Sequence, residues 1–323
     1  MNLMRLILIF CLLAACMTAW ARLPAPPQQP ANGPGGSDYF SRGTVYTRYS
    51  EQNIVYWIVT PDDPKPERAP IAIFYPNIGE ADPSVYRGWL DHLVRRGFIA
   101  IYAVLPDQSR QAPEEISQNV LTVIESAKKH LAQITTTAPA WELLLFIGHG
   151  SGGLVAYNLA CDSVIRQSAS PKALFIVQPY REISGIRREA MTPVDVSNLP
   201  TGCSIMLITG ADDDPARDDD ARQIGQMLAA RLPSDRFASV TIRSDRHGNP
   251  PLVADHYMGY AKLGDRGRLR IDTLDWLGLW KLSDRLADSA FSEGKITITD
   301  EDLKMGSWSD GLMVNTMVLN KLK

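Results

Sequence analysis

The stretch that decides the fold is "LLLFIGHGSGGLVAYNLA", Leu143 to Ala160. An apolar run of strand character ends in a glycine knot and opens directly into a helical pattern. Gly148, Gly150 and Gly153 spell G-x-G-x-x-G, which after a strand can hold a dinucleotide pyrophosphate at a helix N-terminus. The same letters lie one substitution from "GHSxGG", a strand-to-helix turn that presents a serine nucleophile.

Context separates the two readings. A dinucleotide fingerprint wants the first βα turn and an acidic residue roughly 20 residues on, at the end of the next strand. Here the knot follows a hairpin and two earlier strands, and the next strand, "KALFIVQ", ends in Gln178-Pro179. No nicotinamide or other cofactor is therefore expected. The nucleophile turn makes other demands: an acid after a late strand and a histidine after the last one. "SIMLITGADDDP" puts Asp213 in the loop after a late strand, and "FASVTIRSDRHG" puts His247 just past the last.

Outward from the knot the chain alternates. "TVYTRYS" and "IVYWIVT" flank "EQN" and predict an antiparallel hairpin of β-branched and aromatic residues. Beyond a Pro-rich link come "IAIFY", a helix in "PSVYRGWLDHLVRRG", "FIAIYAV", and a long helix in "PEEISQNVLTVIESAKKHLAQI" with acids in its first turn. After the knot follow "KALFIVQ", "SIMLITG", a helix from about Asp218 to Leu232, and "FASVTIR". Near-continuous apolar strands alternating with helices imply a mostly parallel α/β sheet covered on both faces, in one domain. A helix around "RLRIDTLDWLGLWKLSDRLA" and a tail of short strands or loop, "KITITDEDLKMGSWSDGLMVNTMVLN", complete the chain.

These features resemble the α/β-hydrolase superfamily. The likeness is to bacterial hydrolase-like proteins with a crossover helix like "DPSVYRGWLDHLVRRGFIAIY", a "HGNPPLVADH"-like histidine segment and a "MGSWSDG"-like C-terminal signature. It runs from about Ile71 to Met313. The resemblance implies a nucleophile–acid–histidine triad with Asp213 and His247 as acid and base, and it places Gly150 where the serine belongs. The elbow conformation is strained by about 1–3 kcal/mol for a side-chain-bearing residue, and glycine relieves that strain. Gly150 thus predicts catalysis lost or weakened on a fold derived from ester and acyl hydrolases.

Two alternatives stay open. Ser151, the next residue, is the substitute nucleophile of an active ester hydrolase using Ser151, His247 and Asp213, or else it caps the helix that follows. A non-catalytic binding or scaffold protein would use the same pocket for a small acyl or ester ligand. In the oxyanion region the superfamily often reads "HG" after the first inner strand, whereas this chain reads "FYPNIGEADP". Pro76 has no N–H to give, which leaves the backbone of Asn77, Ile78 and Ser151 as donors. His256 in "VADHY" could stand in for His247, although its place in a predicted helix suits a structural role. The acidic run "ADDDPARDDDAR" lacks the glycine and terminal glutamate of a calcium loop, so no metal site is expected. Trp276 and Trp280, at helical spacing, belong to packing.

The N-terminus predicts export. "MNLMRLILIFCLLAACMTAWA" has a basic start at Arg5, an apolar core from Leu6 to Ala15 and small residues at Ala19 and Ala21, so residues 1–21 read as a signal peptide. The apolar core is too short to span a bilayer. A periplasmic or secreted protein follows, or a lipoprotein anchored through Cys16, since "LAAC" resembles a lipobox. Residues 22–42, rich in Pro, Gly and Gln, form a tether with no fold of their own, and the domain occupies 43–323. If cleavage follows Ala21, Cys161 and Cys203 alone remain in the mature chain, either as a disulfide or as buried thiols. The formal charge of −3 over 323 residues leaves no basic footprint for nucleic acid.

Overall fold

The computed structural model describes residues 23–104, 113–181, 192–213, 215–263, 268–269 and 271–322. Residues 1–21, expected as a signal peptide, and Cys16 among them lie outside the described residues. The expected hairpin is β1 (Thr44–Glu51) and β2 (Ile54–Pro61), paired antiparallel. Its turn residues Gln52 and Asn53 both have positive φ, 48° and 67°, which matches the right-handed twist of the flanking strands.

The alternation then delivers β3 (Arg68–Tyr75), α1 (Arg87–Arg95), β4 (Ile99–Ala103), α2 (Pro113–Ile134), β5 (Ala138–His149) and α3 (Ser151–Cys161). After these come α4 (Ser163–Ser168), β6 (Ala173–Val177), β7 (Ser204–Gly210), α5 (Pro215–Arg231) and β8 (Phe237–Ile242). A two-residue pair, β9 (Lys262–Leu263) with β10 (Arg268–Leu269), precedes a π-helical turn that runs into α6 (Lys281–Ser292). The tail contributes β11 (Val318–Leu319), antiparallel to β8. Among the described residues one sheet runs in the order β1-β2-β4-β3-β5-β6-β7-β8-β11. Pairing is parallel from β4 through β8 and antiparallel at both margins.

Period-two geometry explains the layers. Ile71, Ile73 and Tyr75 of β3 face the side of the sheet that α2, α3 and α5 cover, while Ala72 and Phe74 face the side covered by α1 and α6. Tyr56, Tyr75, Trp89 and Phe146 are at most 1 % exposed, and burial of a purely apolar side chain such as Phe146 contributes roughly 1.5–3 kcal/mol.

Two expectations need correction. Residues 23–42 lack helix and strand, yet they are not a loose tether. Ser309 N donates to Ala25 O, Asn249 N to Pro24 O, Thr273 Oγ1 to Pro27 O, and Gly35 N to the buried Asp284 carboxylate at 2.7 Å. Backbone polar groups of an extended segment need partners, and here the domain and its C-terminal tail supply them. The disulfide is also not formed: Cys161 and Cys203 are both buried, free thiols. Burial pushes the Cys161 thiol up to about 12 and raises Cys203 too, so both behave as small apolar core residues.

Candidate active site

The candidate site gathers at the carboxyl ends of the parallel strands, where open α/β sheets bind ligands. The loop after β3 brings Asn77, the knot after β5 brings Gly150 and Ser151, Tyr180 follows β6, Asp213 follows β7, and His256 lies beyond β8.

Gly150 sits at the turn with φ 59° and ψ −129°, a backbone region that L side chains rarely adopt. A Cβ built there would lie 2.4 Å from Asn77 Oδ1, 2.7 Å from its Cγ and 3.0 Å from the Tyr180 ring. Gly152 has a different reason to be glycine: its Cβ would fall 2.2 Å from the carbonyl oxygens of Tyr75 and Pro76. The knot therefore packs α3 against β3 rather than making room for a phosphate.

Asp213 pairs with His256, not with His247. His256 Nδ1 stands 3.2 Å from Asp213 Oδ1 and 3.4 Å from Oδ2, and both side chains are almost fully buried. His247 instead sets Nε2 2.7 Å from Asp310 Oδ2, at the surface, with its ring edge-on to Trp308. The reason is the path of the chain after β8. An isolated bridge, Asp245 to Leu252, closes a small loop, and Asp212 N then donates to Ala254 O at 3.0 Å. That bond lays residues 254–256 over the Asp213 loop. His256 sits in no helix; residues 253–257 are irregular and turn-like.

Asn77 holds the centre. Its Oδ1 accepts from Ile78 N at 3.0 Å, Ser151 N at 3.1 Å, Ser151 Oγ at 3.1 Å and Tyr180 OH at 3.2 Å. Its Nδ2 lies 3.3 Å from His256 Nε2 and donates to Tyr260 OH at 3.2 Å. Backbone N–H groups only donate, so the oxygen end is fixed. Asn77's own N–H is directed to Tyr86 OH at 3.1 Å, so of the three expected oxyanion donors only Ile78 and Ser151 converge, and they converge on a side chain of the protein itself. Ser151 is fully buried; its hydroxyl also accepts from Ile78 N at 2.8 Å. The hydroxyl is bound to the Asn77 loop rather than to a histidine ring, and Ser151 is the first residue of α3, whose N-cap is Gly150.

His149 completes the cluster and was not anticipated. Its ring stacks on His256 with centroids 5.0 Å apart, and it bonds Tyr86 OH through Nδ1 at 2.8 Å and Gln178 Oε1 through Nε2 at 3.1 Å. Burial, reinforced by His256, pushes it down to about 3, so it is neutral and structural across physiological pH. Beside the site, burial raises the Glu80 carboxyl and lifts Tyr260 and Tyr86 above the ordinary phenol range. A groove of about 530 Å³ lies elsewhere, between α2, α3, α4 and residues 192–198, and includes neither Asn77 nor His256. Among the described residues no helix is long and apolar enough to cross a membrane.

The sequence matches no protein-family model and no curated relative. Solved structures do resemble it. Esterase B from Lactobacillus rhamnosis in a C6-C4 SN3 inhibited form superposes with a TM-score of 0.55 at 13% identity, covering 77% of this chain and 89% of that one. The same esterase inhibited by a C4-C4 SN3 tributyrin phosphonate gives 0.52 at 15% identity, covering 77% and 88%. At such identities the likeness is one of fold, and the fold is that of the α/β-hydrolases, with a mostly parallel sheet and an N-terminal antiparallel hairpin.

Proposed function

We propose that this chain is an exported α/β-hydrolase-fold protein of ester-hydrolase ancestry that has kept the frame of the acyl-transfer site and lost covalent catalysis at its elbow. The observation that carries the reading is the Asn77 carboxamide, whose oxygen takes both backbone N–H groups that would stabilise an oxyanion and lies 2.4 Å from where a Gly150 Cβ would stand. Nucleophilic catalysis needs a hydroxyl within hydrogen-bond reach of its base and empty donors for the charge that develops. Position 150 offers no hydroxyl. The alternative triad of Ser151, His247 and Asp213 needs three groups in mutual contact, whereas His247 is tied to Asp310 and the Ser151 hydroxyl to Asn77 and Ile78. The pair that retains the geometry of a base and its orienting acid is His256 with Asp213. The composition of residues 1–21 supports export, and the N-terminal mass of the mature protein distinguishes cleavage after Ala21 from lipidation at Cys16.

The test compares four proteins for labelling by a serine-directed fluorophosphonate and for turnover of short activated esters: the parent, Ser151→Ala, Gly150→Ser, and Gly150→Ser combined with Asn77→Gly. The parent and Ser151→Ala remain unlabelled. Gly150→Ser alone responds weakly, because the Asn77 carboxamide still fills the donors. The double variant puts a hydroxyl at the elbow and frees Ile78 N and Ser151 N, so labelling at position 150 and turnover at least about tenfold above the parent are expected. A parent that labels at Ser151 and loses turnover on Ser151→Ala overturns the reading.

A further inference from the structure

The groups around the Asn77 side chain form a receptor with a fixed pattern. Ile78 N and Ser151 N can only donate, and the Ser151 and Tyr180 hydroxyls donate to the same oxygen. On the other side, His256 Nδ1 faces the Asp213 carboxylate and therefore carries the ring proton, which leaves Nε2 as an acceptor. Tyr260 OH accepts beside it. Donors converging on one oxygen, with two acceptors converging on the neighbouring nitrogen, complement a primary carboxamide. A carboxylate would set an oxygen lone pair against Nε2, and an ester or a dialkylated amide brings no N–H at all.

We propose that this frame is a binding site for a primary carboxamide and that the Asn77 side chain is its resident occupant, a proposal that rests on the non-catalytic reading of the elbow. Two independent observations support it. The missing Cβ of Gly150 leaves the space the carboxamide fills, since a side chain there would come within 2.7 Å of Asn77 Cγ. The frame is also anchored without Asn77: His256 is held by Asp213 and stacked on His149, Ser151 N opens α3, and Tyr260 packs against Tyr86 at 5.0 Å. Removal of the Asn77 side chain therefore leaves the partners in place around an acetamide-sized void. The loop that carries Asn77 reaches the surface at once, with Ile78 half-buried and Gly79 exposed. With the Asn77 side chain removed, an external primary carboxamide takes the same contacts.

Chemical rescue tests this. Thermal unfolding of full-length Asn77→Gly is followed with acetamide, N,N-dimethylacetamide or acetate at pH 8, with the parent as control. Acetamide at about ten times its Kd should raise the melting temperature of Asn77→Gly by roughly 3 °C, a shift expected of saturating a native-state site. The parent should not respond, because its site is filled, and acetate and dimethylacetamide should act alike on both proteins. Adding His256→Phe removes the acceptor and should abolish the acetamide response, whereas adding His247→Ala should preserve it. If Asn77→Gly does not fold in buffer, its refolding yield in acetamide against acetate reads out the same selectivity. Equal responses to the three solutes, no response to acetamide, or a response that survives His256→Phe overturns the proposal. Fluorophosphonate labelling of the parent would instead sink the non-catalytic reading, so the two failures are distinct.

Discussion

Two histidine–aspartate pairs are built from one stretch of chain beyond β8, and they live under opposite conditions. His256 and Asp213 have side chains 6% and 2% exposed, while His247 and Asp310 are 37% exposed each. The surface pair has the shorter contact, 2.7 Å against 3.2 Å. Distance alone would therefore favour the surface pair. The buried pair is oriented from several sides: His149 stacks on the ring, Tyr180 meets it edge-on, and the Asn77 amide faces Nε2. The surface pair ties the histidine segment to the "MGSWSDG" loop, in which Asp310 Oδ1 also accepts from Leu312 N. Environment, more than proximity, separates a chemical group from a clasp.

Acid should break the comparison most strongly. His149, beneath His256, is pushed down to about 3 by burial, below the ~6.5 of an unfolded chain. The unfolded state then binds the extra proton between these values, so stability is fully present above about pH 6.5 and is lost as pH falls toward 3. At about 1.4 kcal/mol per pH unit, the loss approaches a ceiling of roughly 5 kcal/mol. Urea unfolding as a function of pH checks this, and His149→Gln should flatten the curve through that window. The surface clasp follows a different range. A hydrogen bond from His247 lowers the Asp310 carboxyl, so its contribution is present above the ordinary carboxylate range and disappears only as pH falls through the lowered value. A curve flat from pH 6.5 to 4 in the parent would contradict the neutral, buried state of His149.

Removal of one partner from the buried pair comes next. His256→Ala removes the ring donor to Asp213 and one of the two acceptors of the Asn77 amide nitrogen, both away from water. About 3 kcal/mol should be lost in denaturant unfolding. A loss under ~1 kcal/mol would mean that water reaches the pair.

The elbow gives a smaller but more specific effect. Gly150→Ala should cost about 1–3 kcal/mol for a side chain at φ 59°, with more added by eviction of the Asn77 amide. Asn77→Gly in the same chain removes the collision. The two changes should be non-additive, with a coupling of ~1 kcal/mol or more in a double-mutant cycle. Additivity would show that the amide and the glycine do not depend on each other.

Much of this was legible in the sequence. The order of strands and helices followed from apolar runs alternating with capped helices; the long helix over Pro113–Ile134 and the hairpin around "EQN" are where periodicity and turn residues place them. The elbow at Gly150 was legible because a strand, a glycine knot and a helix are contiguous. The histidine that meets Asp213 was not. Its assignment depends on a backbone bond between Asp212 and Ala254, remote in sequence, and chain order favours the first histidine past the last strand. Asn77 was read for its backbone N–H, whereas its side chain does the binding. The available signal was a carboxamide directly after the buried run "IAIFYP", at a position only 8% exposed, since a polar group carried inside must find partners. The strap over 23–42 has no apolar periodicity to announce it, because backbone bonds and Gly35 against Asp284 hold it.

The smallest expected effect tests the surface pair directly. His247→Ala removes a contact between two half-exposed groups in water, where such pairs contribute little because solvent screens the charge and the side chains give up freedom to meet. Global unfolding should stay within the scatter of repeat measurements. What should change is local. Asp310 loses its partner, and the loop from Ser307 to Met313 keeps its bridge and the backbone bond from Trp308 N to Leu312 O at 2.8 Å. The histidine segment stays tied to the tail by Asn315, which donates to Asp245 and to Ser244 O. Amide exchange should therefore quicken in the 307–313 loop and around residue 247 while β8 and the Asp213 loop remain protected. If exchange rises instead at Ala254 and Asp213, the two pairs are mechanically one unit, and the separation between clasp and chemical group fails.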